Sequence, residues 1–142
     1  MHLNLSGLAN WIGSFSSSLY GLDIYLLILV SVLVIIFLTE LNSNTATVAT
    51  FTPILIVFAT GLNVNPLYFV IPTTIAASCA FMLPIATPPN AVIFGSGKID
   101  IKVMVRAGVS LNFIAIFVVS LICILILNIF FGYNIRSIPS WL

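Results

Sequence analysis

The chain has 142 residues, of which 61% are hydrophobic and only 5% are charged, and its mean hydropathy is +1.29. Soluble domains carry about 25% charged residues, so this composition predicts an integral membrane protein of the all-α class. Apolar residues run continuously instead of alternating with polar ones, which excludes a transmembrane β-barrel. A net charge of +1 excludes a basic nucleic-acid-binding surface, so we expect no nucleic-acid partner.

Cysteine and histidine usage argues against metal binding and catalysis. Both cysteines, Cys79 and Cys123, lie inside apolar runs, where small buried thiols are more typical than a disulfide. His2 is the only histidine, so a zinc site or a histidine-based triad lacks its ligands. We therefore expect neither an enzyme nor an organic cofactor.

The N-terminal residues lack the positive n-region and the apolar h-region of a signal peptide. Residues 1–20 are predicted to form an amphipathic segment near the membrane surface, with a helix over Leu3–Ser18 and with Trp11 and Phe15 as interfacial anchors. The abrupt start of this segment suggests a piece of a larger protein.

A polar island at residues 39–47 separates two apolar runs, Ile24–Leu38 and Phe51–Leu62. Asp23 is placed to cap a helix that starts at Ile24. At about 1.5 Å per residue the first run extends roughly 22 Å as a helix, which is shorter than a hydrocarbon core of about 30 Å. Either the two runs join into one polar span, or residues 21–65 form a re-entrant hairpin with its tip at 42–45.

Residues 66–97 are predicted to form a broken transmembrane helix. An apolar run over Leu67–Leu83, in which Pro72 introduces a kink, is followed by a break at 86–90. Pro88 and Pro89 predict this break, because each lacks an N–H and each disfavours helical geometry in the residue before it. Only a very short half-helix is left before Gly95.

Three of the four basic residues lie in the connector at 98–106, which the positive-inside rule places in the cytoplasm. The apolar run 107–131 that follows is predicted to be one transmembrane helix, and 132–142 an external tail with Tyr133 and Trp141 at a membrane edge. The uncharged turn at 61–66 is then outside. A re-entrant hairpin is consistent with this orientation, whereas a single span would place residues 16–23 in the cytoplasm without a Lys or Arg.

Backbone that leaves a helix at membrane depth must be buried in protein or line a watery cavity. The half-helix that starts near Thr45 offers N–H groups to a carboxylate or similar anion. The preceding helix end and the break around Ala86 offer carbonyl oxygens suited to Na⁺. The alternative is that Ser, Thr and Asn only hydrogen-bond neighbouring helices, and that Glu40 pairs with one of them.

Two motifs carry a family resemblance. The first is Thr-Glu-Leu-Asn-Ser-Asn-Thr-Ala-Thr at 39–47, and the second is Ser-Cys-Ala-Phe-Met-Leu-Pro-Ile-Ala-Thr-Pro-Pro-Asn-Ala at 78–91, which leads to Phe-Gly-Ser-Gly at 94–97. The sequence from about Ser6 to Phe131 resembles the divalent-anion:sodium symporter family, the di- and tricarboxylate transporters. A bare Ser-Asn-Thr is weak evidence, but the Pro-Pro string at this distance makes the resemblance specific.

The resemblance implies a role for each motif position. It implies that Ser43, Asn44 and Thr45 contact the substrate carboxylate and that Pro88 lines the same pocket. It also implies a sodium ion bound by oxygens of Thr39, Asn42, Asn44 and Ala86. Asn42 stands where family members often have a small residue, which matters little if its carbonyl is the ligand.

The resemblance further implies a C-terminal transport-domain portion of a sodium-coupled carboxylate transporter in a bacterial-type inner membrane. The first hairpin with its own Ser-Asn-Thr, the first sodium site and the dimerisation helices of the homodimeric family have no counterpart here. We therefore expect a truncated or split form that needs an N-terminal half or a second chain. Two alternatives stay open: a sodium-independent carboxylate exchanger of the same family, and a non-transporting membrane fragment.

Overall fold

The computed structural model describes residues 7–19, 21–130 and 135–136. All regular secondary structure in these residues is helical, which confirms the all-α class. The helices are α1 (Leu8–Ser18), α2 (Ile24–Thr39), α3 (Asn44–Gly61), α4 (Leu67–Ala76), α5 (Pro88–Gly95) and α6 (Ile101–Phe130).

Two of the described helices, α3 and α6, are long and apolar enough to cross a membrane, whereas α2 and α4 are apolar but shorter. Apolar side chains along α6 are exposed on one face, among them Phe117, Leu121 and Ile129. Exposed apolar side chains in such number are unstable in water and stable in a bilayer. The chain is therefore a helical membrane protein.

Helix α4 lies at the centre of the described bundle, because it packs against α2, α3 and α6. One buried cluster joins it to α3 around Leu55, Ala59 and Phe69. A second cluster joins the end of α4 to α2 and α6 around Ile36, Ala76 and Ile116. A polar bond supports this packing, since Tyr68 Oη donates to Asn128 Oδ1 at 2.8 Å.

The polar island becomes a short connection between two helices. Asp23 caps α2 as predicted, because its carboxylate accepts a hydrogen bond from the Tyr25 N–H at 2.7 Å. Helix α2 ends at Thr39 and α3 begins at Asn44, with Ser43 as its N-cap. The interruption therefore covers residues 40–43, and Asn44 and Thr45 already belong to the first turn of α3.

The break in the second apolar run lies earlier than the predicted 86–90. Helix α4 ends at Ala76, and residues 77–87 are irregular. Pro88 and Pro89 begin α5 because the first helical turn needs no N–H from its leading residues. Both prolines thus start a helix instead of interrupting one, and the prediction of a helix up to Leu83 was wrong.

The charged connector is shorter than the predicted 98–106. Helix α6 begins at Ile101, and the N–H groups of Val103 and Met104 donate to Asp100 O at 3.0 and 3.1 Å. Charged side chains are compatible with a first helical turn that lies outside the apolar core, so the start of the apolar run at 107 does not mark the start of the helix. Residues 1–6 and most of the predicted tail 132–142, with Tyr133 and Trp141, lie outside the described residues.

Candidate functional site

An open cavity of about 610 Å³ lies between the start of α3 and the irregular segment 77–87 with the start of α5. Side chains from the two interruptions form its lining: Ser43, Asn44, Ser78, Ala80, Phe81, Ala86, Thr87, Pro88, Pro89 and Asn90. Lys and Arg are absent from this lining. Any anion held here must therefore be balanced by something other than a basic side chain of the lining.

The first turn of α3 faces this cavity with unpaired donors. Ser43 Oγ accepts from the Ala46 N–H at 3.2 Å, and Ser43 O accepts from the Thr47 N–H at 2.9 Å. Within the described residues, the N–H groups of Asn44 and Thr45 have no hydrogen-bond acceptor. Together with the partial positive charge of a helix N-terminus, these two groups can bind an anion.

The first turn of α5 faces the same cavity but offers no comparable donors. Pro88 and Pro89 have no N–H, the Asn90 N–H donates to Thr87 Oγ1 at 3.4 Å, and the Ala91 N–H donates to Thr87 O at 3.1 Å. The wall formed by α5 and the segment before it therefore presents proline rings and oxygen atoms. The two walls differ in their main-chain donors: the first turn of α3 has N–H groups without an acceptor, whereas the first turn of α5 has none to offer and the hydroxyls of Ser78 and Thr87 lie on its side.

Thr39 lies fully buried behind the cavity. Its Oγ1 is 2.8 Å from Asn44 Oδ1 and 2.7 Å from Ala77 O. A hydroxyl has one hydrogen, so Thr39 Oγ1 can donate to only one of these two oxygens. It donates to Ala77 O and accepts from Asn44 when the Asn44 amide turns its NH₂ group towards Thr39. The amide oxygen of Asn44 then faces away from Thr39 and is available as a ligand.

Glu40 is also fully buried, and its carboxylate binds the backbone of the irregular segment. Its Oε1 accepts from the N–H groups of Phe81 and Met82, and its Oε2 accepts from the N–H of Leu83, each at 2.9 Å. Asn112 Nδ2 on α6 donates to the same Oε1 at 2.8 Å. The expected pairing of Glu40 with a neighbouring helix is present, but most of its partners are main-chain groups.

The predicted site residues fall into two groups. Ser43, Asn44, Ala86 and Pro88 line one cavity, and Thr39 joins them through Asn44. Asn42 and Thr45 are exposed at the interruption but do not line the cavity.

Sequence reasoning assigned no role to Asn90 or Asn112. Asn90 Nδ2 donates to Ala80 O and Leu83 O at 2.9 and 3.1 Å and so closes the irregular segment on itself. Asn112 is a buried amide within a long apolar run, and a polar residue in that position was the signal available for it.

The fold and this cavity define a class: a helical membrane protein in which irregular backbone lines a cavity between helix ends, with polar side chains among the apolar ones. Transport proteins bind ions and substrates at such places. In the described part of the chain, no group of His, Cys, Asp and Glu side chains is arranged to hold a metal ion.

The family model described as the sodium:sulfate symporter transmembrane region matches residues 1–132, and the chain belongs to this family. It is 44% identical over 117 residues to the sodium-dependent dicarboxylate transporter SdcS of Staphylococcus saprophyticus, covering 82% of this chain and 22% of that protein. It is also 44% identical over 137 residues to human solute carrier family 13 member 1, covering 96% of this chain and 22% of that protein. The chain thus spans about a fifth to a quarter of the length of these relatives.

Proposed function

We propose that this chain is the C-terminal transport-domain portion of a sodium-coupled di- or tricarboxylate transporter. The cavity between α3 and α5 carries the proposal, because it combines free N–H donors on one side with oxygen ligands on the other. The similarity to the staphylococcal sodium-dependent dicarboxylate transporter supports the same substrate class.

One carboxylate group of the substrate binds at the first turn of α3. The N–H groups of Asn44 and Thr45 donate to it, and the hydroxyls of Ser43 and Thr45 add further donors. Pro88 forms the surface opposite the first turn of α3, and its uncharged ring places no charge next to the substrate carboxylate. The rest of the substrate is recognised outside this wall, so these residues select a carboxylate and not one particular molecule.

We propose that sodium binds beside the carboxylate through oxygen atoms of Thr39, Asn42, Asn44 and Ala86, of which Asn44 and Ala86 line the cavity and Thr39 is joined to it through Asn44. Carbonyl, hydroxyl and amide oxygens are hard ligands that suit Na⁺. The charge balance supports this arrangement: no Lys or Arg lines the cavity, so no basic side chain of the lining balances a bound carboxylate. The cation therefore supplies the charge that the protein does not, which couples the two binding events.

In this proposal α2 and α3 form a re-entrant hairpin whose tip, the interruption at residues 40–43 and the first turn of α3, lies at membrane depth. The 16 residues of α2 extend about 24 Å, less than the hydrocarbon thickness of about 30 Å. The cytoplasmic position proposed for the basic connector sets the orientation. The remaining carboxylate-binding wall and the homodimer contacts come from parts of the transporter outside this chain, whether in the same polypeptide or in a second one.

Uptake of labelled succinate tests the proposal in a full-length family member in which this chain replaces the homologous segment. Asn44→Ala is expected to raise the half-saturating sodium concentration by roughly tenfold, because it removes the amide oxygen proposed as a sodium ligand. It keeps the Asn44 N–H, so the substrate KM is expected to rise only through the weaker binding of the coupled sodium ion. Thr50→Ala, at an exposed position of α3 outside the cavity lining, is the matched control. If Asn44→Ala left both values unchanged, the site assignment would be wrong.

The same assay separates the two alternatives. A carboxylate exchanger accumulates label without sodium when the cells are preloaded with unlabelled succinate, whereas a symporter requires the sodium gradient. A chimera that reaches the membrane but shows neither activity contradicts transport and supports a fragment whose polar residues only pack helices.

A further inference from the structure

The carboxylate of Glu40 is enclosed by four donors, three from the segment 77–87 and one from α6. The N–H groups of Phe81, Met82 and Leu83 lie 2.9 Å from its oxygens, and Asn112 Nδ2 lies 2.8 Å away. Glu40 and Asn112 are both fully buried. Three consecutive N–H groups that have no helical partner are therefore satisfied by a single side chain.

The segment bound by Glu40 continues into the cavity wall. Leu83, whose N–H binds Glu40, also presents its carbonyl to the Ala86 N–H at 3.2 Å and to Asn90 Nδ2 at 3.1 Å. The position of Ala86 thus depends on Leu83, and the position of Leu83 depends on Glu40. Asn112 is the only side chain among the described donors to Glu40, since the other three are main-chain groups.

Helix α6 contacts this arrangement at two points one turn apart. Gly108 is buried, and a Cβ at this position would overlap the carbonyl of Phe81 and the backbone of Met82. The close approach of α6 to the segment requires this glycine, and Asn112 then reaches the carboxylate. Helix α6, which exposes apolar side chains on its other face, therefore touches the back of the cavity wall.

We propose that Asn112 is a positioning residue of the proposed transport site, acting through Glu40 on the wall that contains Ala86. The expected effect of Asn112 on transport rests on the proposed function. The contacts from Asn112 through Glu40 to residues 81–83 do not. Asn112 fixes the carboxylate rotamer, the carboxylate fixes residues 81–83, and these fix the carbonyl oxygens on the cation side of the cavity. Asn112 itself does not line the cavity.

Asn128 provides a matched control on the same helix. It is also a buried asparagine of α6 and also makes one side-chain hydrogen bond at 2.8 Å, but to Tyr68 Oη and not to the segment 77–87. Asn112→Leu and Asn128→Leu each remove one buried interhelical bond and retain apolar volume. A purely packing role predicts similar behaviour of both variants, whereas a positioning role predicts different behaviour.

The first readout needs no transport. A cysteine at Ala86, in the chain with Cys79 and Cys123 replaced by alanine, reports access to the cavity wall by its rate of reaction with a water-soluble thiol reagent. Asn112→Leu is expected to change this rate at least about tenfold, the lower end of the effect of losing a hydrogen bond to a charged group. Asn128→Leu is expected to leave it unchanged.

The second readout uses the succinate-transporting chimera. Asn112→Leu is expected to raise the half-saturating sodium concentration several-fold, Asn112→Gln to restore part of it, and Asn128→Leu to leave it unchanged. If Asn112→Leu does not accumulate, Asn112→Ser, whose hydroxyl is too short to reach the carboxylate, takes its place. Equal labelling rates for both Leu variants would overturn the inference. A labelling difference without any transport would instead contradict the proposed function alone.

Discussion

Gly108 is required by a close contact and not by an unusual backbone angle. Its missing side chain leaves room for the backbone of Phe81 and Met82, whereas Gly13, on α1, has open space where a Cβ would lie. We expect Gly108→Ala to destabilise the chain by about 1–3 kcal/mol through overpacking. Gly13→Ala should be neutral or slightly stabilising, because alanine is the better helix former.

Thermal unfolding in detergent measures this difference. The midpoint should fall for Gly108→Ala and stay the same or rise for Gly13→Ala. Equal midpoints would mean that α6 can move away from the segment 77–87 without loss, which would also weaken the structural basis assigned to Asn112.

Single residues also show how far the sequence could be interpreted. The Ser-Asn-Thr and Pro-Pro motifs predicted that Ser43, Asn44, Ala86 and Pro88 lie near one another, and the four line one cavity. The bond between Glu40 and Asn112 joins residues 72 positions apart and follows from no local pattern. The hydrogen bonds between Glu40 and the backbone of residues 81–83 could not be predicted from the sequence either.

At the scale of elements, α4 shows where local pattern and tertiary contact disagree. Residues 77–83 are mostly apolar and resemble a continuing helix, yet α4 ends at Ala76. Glu40 supplies acceptors to three of their N–H groups, so an irregular path has its hydrogen bonds satisfied inside the protein. The hydropathy pattern of a segment cannot predict a helix boundary that depends on a side chain from another element.

The start of α5 depends on a single cap. Thr87 Oγ1 accepts from the Asn90 N–H, while Pro88 and Pro89 contribute no donors. Thr87→Val keeps the shape but removes the acceptor, at a cost of about 1 kcal/mol for a helix N-cap. The first turn of α5 should then open more often.

Hydrogen exchange of the peptide that covers 88–95 measures this opening. Amide exchange should be about fivefold faster in Thr87→Val, the ratio that corresponds to about 1 kcal/mol, and Thr87→Ser should restore the slow rate. Unchanged exchange in Thr87→Val would mean that the prolines alone hold the first turn.

At the scale of the whole molecule, the described helices bury one side and expose another. All residues of α5 are exposed or half-buried, and α6 exposes a continuous apolar face. Lipid or the remaining parts of a transporter must cover these surfaces. This agrees with a chain that spans only about a fifth to a quarter of the length of its relatives and, in our proposal, carries one wall of the binding site.

Topology is the property that most sharply separates the two arrangements of α2 and α3. If they form a re-entrant hairpin, Leu22 and Asn63, both exposed next to the outer ends of these helices, lie on the same side of the membrane. If residues 24–62 cross once, Leu22 and Asn63 lie on opposite sides. In either arrangement our proposal puts Lys98, in the connector between α5 and α6, on the side opposite Asn63, because the proposed broken helix would cross between them.

Single cysteines at these three positions, in the chain without Cys79 and Cys123, measure the topology in intact cells. We expect a membrane-impermeant maleimide to label Leu22→Cys and Asn63→Cys from outside, and Lys98→Cys only after the cells are permeabilised. Labelling of Leu22→Cys only after permeabilisation would establish a single crossing and exclude the re-entrant hairpin. External labelling of Lys98→Cys would instead contradict the proposed orientation. Three basic residues would then lie on the outer side, against the positive-inside rule.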